Sequence, residues 1–267
     1  MKKSAIKVRG MSFKYEDGLA FDNFDIDIYS GTITCIVGKN SSGKTTLAKI
    51  LGGIYKSDGY ININGYLLNN YFISKIRRDF SLCYGENSIM FDTIKDSLSF
   101  SLESLQYTKK EMDTLINKIS KRLDFQKYLD KTFEEISSSQ KQKVIIASAL
   151  IHKPKIILLD NSLNELNNND RKSIIKLLKE YQKNYNLTVI IMTNNLEDTL
   201  FSDRIIVLDK GKIIKDGNKD DIYSDDFLEK RGFELPFIVK LSQNLMLYDL
   251  LDKVYFKKEE VIDKLWN

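Results

Sequence analysis

Apolar and polar positions change their spacing along this chain, and the changes predict its elements. Lys7–Tyr15 and Phe24–Tyr29 read as strands, followed by a β-rich run, Thr32–Val37, and a helical run, Thr45–Leu51. Gly59–Gly65 alternates apolar and polar residues between glycines and predicts a hairpin-like stretch. Asp79–Tyr84 is the next strand. From Thr93 to about His152 the spacing is helical, with polar breaks near Gln106–Lys109 and Thr132–Ser139. Beyond it strands and helices alternate again: Lys155–Leu159, Asp170–Tyr185, Thr188–Met192 and Arg204–Leu208. In the Asp170 helix, Ile174, Ile175, Leu177, Leu178 and Tyr181 are expected on one core-facing side. Such alternation predicts an α/β fold, a mainly parallel sheet with helices on both faces. The helical block, about residues 86–152, interrupts it and predicts a subdomain. After Ser224 the pattern becomes a short helical tail around Pro236, so residues 1–225 and 226–267 read as main domain and extension.

Composition narrows the setting. At 267 residues, one α/β domain with additions or two small domains is expected. The net charge of +4 is scattered rather than blocked, which is ordinary solvated surface; no nucleic-acid partner is expected. Cys35 and Cys83 both lie in apolar strand-like runs and read as buried thiols, not a disulfide framework. The longest apolar stretch, Val144–Ile151, is far short of the ~20 residues that span a bilayer. Met-Lys-Lys at the start has no apolar run behind it, so no secretory signal is expected.

The chemistry enters at residues 38–46, Gly-Lys-Asn-Ser-Ser-Gly-Lys-Thr-Thr, which fill the phosphate-loop pattern G-x-x-x-x-G-K-S/T. A strand-like run feeds this loop and a helical run leaves it, the context the motif requires. Gly38 and Gly43 permit backbone angles and a close approach that a Cβ forbids. Successive N–H groups of Lys39, Asn40, Ser41, Ser42 and Thr46, with the helix N-terminus, are expected to face a nucleotide's phosphates. Lys44 would reach the β and γ oxygens, and the Thr45 hydroxyl would hold Mg²⁺. ATP and Mg²⁺ are the expected ligands.

A second element separates the possible phosphate-loop classes. Ile136-Ser-Ser-Ser-Gln-Lys-Gln-Lys143 precedes a helix, and Lys155-Ile-Ile-Leu-Leu-Asp160 is an apolar strand ending in a carboxylate placed for Mg²⁺. Here the chain resembles the ATP-binding-cassette (ABC) family, whose signature Leu-Ser-Gly-Gly-Gln-x-Gln-Arg stands at this spacing. The resemblance covers nearly the whole chain. It implies a P-loop NTPase (RecA-like) core with a helical signature subdomain, an N-terminal antiparallel β region and a short helical C-terminal extension. It also implies that Tyr15 stacks on adenine. Ser202–Lys212 matches the cassette's last strand pair. The segments Gly232–Leu245 and Thr93–Phe100 resemble ATPase subunits of energy-coupling-factor vitamin importers. In that group two ATPases pair head-to-tail, each ATP touching one phosphate loop and the other subunit's signature, here Ser137, Ser138, Ser139 and Gln140. The resemblance therefore implies a second ATPase subunit, expected to make a heterodimer. It further implies an integral membrane scaffold reached through a groove near the fourth strand, a substrate-binding membrane subunit, and a place at the cytoplasmic face of the membrane.

The departures from that family gather at the hydrolytic positions. The general-base Glu after Asp160 is replaced by Asn161, and the switch His after Thr188–Thr193 by Asn194; the chain's single histidine, His152, reads as a plain surface residue. An amide orients water but does not take its proton, and losing a general base costs ~10²–10⁴-fold in rate. The signature glycines are Ser138 and Ser139, whose hydroxyls remain able to donate. The Gln after the fourth strand is Gly85, with Glu86 beside it as a candidate metal ligand. The dimer-facing loop, Ser-Ala-Leu-Asp in the family, is Asn164–Asn167. The favoured expectation is an ATP-binding importer subunit with impaired hydrolysis of its own. The alternatives are a fully working ATPase subunit of another importer or exporter, and a soluble non-transport cassette protein.

Overall fold

The protein is seen as a computed structural model, which describes residues 3–16, 18–84 and 92–266. β1 (Ser4–Tyr15) and β2 (Gly18–Tyr29) come first, then β3 (Ile33–Val37) and α1 (Lys44–Leu51). β4 (Asp58–Ile63), β5 (Tyr66–Leu67), α2 (Ile73–Asp79) and β6 (Phe80–Tyr84) follow. The helical block is α3 (Ile94–Glu103), α4 (Lys109–Arg122) and α5 (Ser138–Leu150). β7 (Ile156–Asp160), α6 (Asn168–Tyr185), β8 (Thr188–Thr193), β9 (Arg204–Asp209) and β10 (Lys212–Gly217) complete the alternating part. The tail holds α7 (Lys219–Ile222), α8 (Phe227–Lys230), α9 (Phe237–Met246) and α10 (Lys258–Trp266).

The strands form two sheets. One is antiparallel, in the order β2-β1-β4-β5. The other runs β10-β9-β3-β8-β7-β6, parallel from β9 to β6 with β10 antiparallel at its edge. Parallel strands are apolar on both faces because both faces are covered. In β7, Ile156 and Leu158 join α1 and the antiparallel sheet, whereas Ile157 and Leu159 join the core beneath the helical block. β8 divides the same way, with Ile190 and Met192 on one side and Val189 and Ile191 on the other. Truncating one of these, as in Leu158→Ala, would cost about 2–5 kcal/mol.

The start of the helical block and the two polar breaks within it hold helix caps. Thr93, Thr108 and Ser137 accept the N–H of Asp96, Glu111 and Gln140, and those side chains reach back to the cap's own N–H. Short polar runs that look like loops thus place three helix starts.

The structure corrects the sequence reading at several points. α2 was not foreseen, since only Ile76 of its seven residues is buried and it presents no apolar stripe. Ile175 is not on the core side of α6: Ile174, Leu177 and Leu178 are buried, and Ile175 stands half-exposed among Lys172, Lys176, Lys179 and Lys183. Neighbours on a helix point ~100° apart, and Ile175 falls on the side away from the stripe that Ile174, Leu177 and Leu178 share. His152 is no plain surface residue either. It is half-buried where the end of α5 packs on β6, with Nε2 3.4 Å from the Ser81 hydroxyl and Nδ1 enclosed without a partner. Burial holds its pKa below the usual 6.5. Cys35 and Cys83 are both buried and free, and burial pushes the Cys83 thiol up to about 12. Among the described residues no helix is long and apolar enough to cross a membrane.

Candidate nucleotide site

The phosphate loop leaves the C-terminal end of β3, in the middle of the parallel sheet, where ligands of such sheets gather. Its start is pinned by Gly38 N–H donating to the Thr193 carbonyl at 3.2 Å, and its middle by Gly211 N–H donating to the Ser42 carbonyl at 3.0 Å. The backbone demands are severe. A Cβ on Gly38 would fall 2.4 Å from Ser42 Oγ and 2.5 Å from the Leu208 carbonyl oxygen. Gly43 has φ +107°, and a Cβ there would fall 2.9 Å from the Phe21 ring. Lys44 folds back over the loop and donates to the carbonyls of Gly38 and Lys39 at 2.8 and 2.9 Å. Its ammonium is held in place by the same cradle that would receive a phosphate. Burial lowers its pKa and the Asp160 carboxylate offsets part of that.

Tyr15 sits beside the loop. Its hydroxyl meets Thr46 Oγ1 at 2.9 Å, and its ring stands edge-on to Phe13 and to Tyr55. Phe13 and Tyr55 stack face to face with centroids 5.4 Å apart, and Lys49 donates to the Tyr55 hydroxyl at 3.3 Å. The sequence reading named Tyr15 alone; Phe13, Tyr55 and Lys49 form the rest of the cluster. Tyr55 follows the helix in an unpatterned stretch, so nothing in the sequence marks it.

Asp160 ends β7 facing the loop, 6% exposed. Its Oδ1 is buried without a hydrogen-bond partner. Burial raises its pKa above 3.8, opposed by a hydrogen bond from the Thr45 hydroxyl and by the Lys44 and Lys49 cations. An orphaned buried carboxylate oxygen beside a hydroxyl is a donor set that suits a small divalent cation. No group of three His, Cys, Asp or Glu that could hold a metal occurs among the described residues, so such an ion would complete its shell with phosphate and water.

Asn161 follows with φ +51°, a left-handed conformation that asparagine tolerates better than most residues, and its N–H donates to the Met192 carbonyl at 2.8 Å. Asn194, at the end of β8, has its Oδ1 3.5 Å from Asn164 Nδ2. The residues that immediately follow β7 and β8 are therefore neutral amides, close to each other's segments. Gly85 and Glu86 lie outside the described residues.

Ser137 caps α5, accepting the Gln140 N–H at 3.3 Å, while Gln140 Oε1 accepts the Ser137 N–H at 3.0 Å. Ser138 is exposed at the first turn, and Ser139 is half-buried with its hydroxyl turned toward α6. Ser137 and Gln140 line one open pocket together with Asn167 and Asn168, which brings this helix start beside the loop 164–167.

A family model, "ABC transporter", matches residues 21–164, more than half of the chain. The chain belongs to the ABC transporter family. Along almost its full length this ABC protein is similar to the energy-coupling factor transporter ATP-binding protein EcfA1 of Mesomycoplasma hyopneumoniae, 33% identical, covering 98% of this chain and 97% of the relative. It is 32% identical to EcfA of Pediococcus pentosaceus, covering 96% of this chain and 94% of the relative. The structure of cbiO1 from Clostridium perfringens, described as part of the ABC transporter complex cbiONQ, matches at a TM-score of 0.75 and 27% identity. It covers 91% of this chain and 100% of that one. The fold is thus the cassette's α/β fold, and the chain is an ABC ATPase of the energy-coupling-factor type.

The tail of this ABC ATPase also comes to the candidate site, which the sequence did not reveal. Gly232, φ +70°, sits so near the phosphate loop that a Cβ would fall 2.9 Å from Lys39 Nζ. The Phe237 N–H, at the start of α9, donates to Glu197 Oε1 at 3.0 Å, just beyond Asn194. The adjoining Asp198 is buried and paired with Arg171 of α6, which draws one helix onto the end of β8.

Proposed function

We propose that this chain is an ATP-binding subunit of an energy-coupling-factor-type importer, able to hold Mg²⁺-ATP but poor at splitting it alone. The observation that carries the reading is the contrast within one site: a phosphate loop with its backbone and lysine in order, beside Asn161 and Asn194 in place of a base and a histidine. Tyr15 would carry the adenine and residues 38–46 the phosphates. Thr45 and Asp160 would hold Mg²⁺, which supplies charge neutralisation at the phosphates when bound. Asn161 and Asn194 can orient a water by hydrogen bonds, but neither takes its proton at neutral pH.

The family resemblance implies the partners, and the surface offers a place for each. Ser137, Ser138, Ser139 and Gln140 would face the ATP of a second cassette, with the loop 164–167 at the same seam. Between α3, α5 and β6 lies a cavity of about 340 Å³, lined by residues that include Phe100, Ser148 and His152. It suits a helix of a membrane scaffold, and it would keep this subunit peripheral, at the cytoplasmic face. Residues 1–225 would act as the cassette and 226–267 as its extension.

The test is titration of the purified chain with ATP, with and without Mg²⁺, alongside turnover. Saturable binding that Lys44→Ala weakens by ~100-fold or more, with turnover far below 1 s⁻¹, is expected, since ordinary enzymes run at about 1–10³ s⁻¹. Turnover in the ordinary range would overturn the impaired-hydrolysis reading, and loss of binding would overturn all of it.

A further inference from the structure

The Ser139 hydroxyl makes two bonds, and both go to the segment that opens α6. It donates to Asp170 Oδ2 at 2.6 Å and accepts the Asn167 N–H at 3.0 Å. The other oxygen of Asp170 accepts from Lys143 Nζ at 2.7 Å, in a pair whose side chains are 7% and 15% exposed. Asn167 adds Nδ2 to Asp170 Oδ2 at 2.8 Å, and its own Oδ1 caps α6 through the N–H groups of Asn169 and Asp170. Burial would raise the Asp170 carboxyl, but hydrogen bonds from Lys143 and Ser139 hold it below 3.8, so it stays ionised and accepting at neutral pH. A glycine at 139 would remove a donor from Asp170 and an acceptor from the Asn167 N–H together.

The next residue extends the connection. Arg171 pairs with buried Asp198, which accepts from Thr193 Oγ1 at 2.7 Å, and Thr193 Oγ1 accepts the Asn195 N–H at 3.0 Å. One turn of α6 therefore grips the 137–140 segment with Asp170 and the stretch around Asn194 with Arg171.

We propose that Ser139 is a positioning residue, fastening the 137–140 segment to the loop 164–167 so that both are presented to a partner's nucleotide as one rigid piece. The inference deepens the proposed function, because it rests on residues 137–140 facing that nucleotide. Its logic is that a serine in place of a signature glycine costs backbone freedom but supplies a clasp that fixes the turn from within. The hydroxyl acts on its own subunit rather than on the phosphate.

The experiment uses the complex purified through a tag on the full-length chain, carrying wild type, Ser139→Ala, Ser139→Gly or Ser139→Thr. Amide hydrogen exchange should be ~10-fold or more faster at Asn167 in the Ala and Gly forms, because the bond that protects it is gone. The KM for ATP should rise about 3–10-fold in those forms with kcat changed less than twofold, and Ser139→Thr should restore both readouts. Unchanged exchange and KM in Ser139→Ala would overturn the proposal. Faster exchange with an unchanged KM would overturn it too, reducing Ser139 to a local structural contact. Ser138→Arg, on the exposed side of the turn, separates the two levels. If it raises the KM for ATP while Ser139→Ala leaves it unchanged, the positioning role alone fails. If neither matters, the partner-facing reading of 137–140 fails with it.

Discussion

The hydroxyl of Tyr15 lies 2.9 Å from Oγ1 of Thr46, joining the end of β1 to the first turn of α1. An aromatic at a strand end is thereby fixed to the helix that follows the phosphate loop. Tyr15→Phe keeps the ring and drops the bond, a loss of about 1 kcal/mol in stability that should weaken ATP binding less than losing the ring does. Tyr15→Ala also drops the stacking surface and should weaken binding by a further ~10-fold or more. A titration with a fluorescent ATP analogue reads both. Equal affinities for Phe and Ala would remove Tyr15 from the adenine position.

The paired amides invite a gain-of-function test. Asn161→Glu with Asn194→His should raise the single-turnover rate by ~10²-fold or more, the usual worth of a positioned base. Position 161 has φ +51°, where glutamate is less at ease than asparagine by about 1 kcal/mol. The double variant should therefore melt ~2–4 °C lower while working faster. A rate that does not move would place the defect elsewhere in the site.

Gly43→Ala brings together a left-handed φ of +107° and a Cβ 2.9 Å from the Phe21 ring. It should cost at least ~1–2 kcal/mol of stability and most of the ATP affinity. Adding Phe21→Leu should recover only the part of the stability lost to crowding, since Phe21 is itself a buried core ring, and not the affinity, since the angle stays wrong. Recovery of both would show that crowding alone was the fault.

His152 gives a pH signature. Its folded pKa is depressed by burial below 6.5, so the unfolded chain binds the extra proton first as pH falls. Stability is unaffected above 6.5 and declines as pH drops from there toward the folded pKa. His152→Gln should flatten that part of the melting-temperature profile. Since this is the chain's single histidine, its imidazole resonance can be followed directly by NMR, and a midpoint at or above 6.5 would contradict the buried setting.

The sequence carried the fold well where periodicity and a motif coincided. The runs at 32–37 and 155–160 gave β3 and β7 nearly to the residue, because strands buried on both faces must be apolar throughout. The phosphate loop was legible because its glycines are compelled by close contacts. What stayed hidden depends on long-range packing. Nothing local distinguishes Tyr55 or Gly232 from other loop residues, and their places follow from a strand and a tail arriving from elsewhere. The direction of the Ser139 hydroxyl was equally hidden: the motif read it as a damaged signature, whereas its partner Asp170 comes from another helix. Likewise His152 looked solvated because its neighbour in space, Ser81, is distant in sequence.

Gly232 and Lys39 bring the far end of the chain against its ligand loop. If Lys39 turns toward incoming phosphates, the tail loses the side chain it rests on and must settle anew. A dye placed near residue 234 should report the loss of that contact as a change in emission when nucleotide is added, and Lys39→Ala should abolish the change.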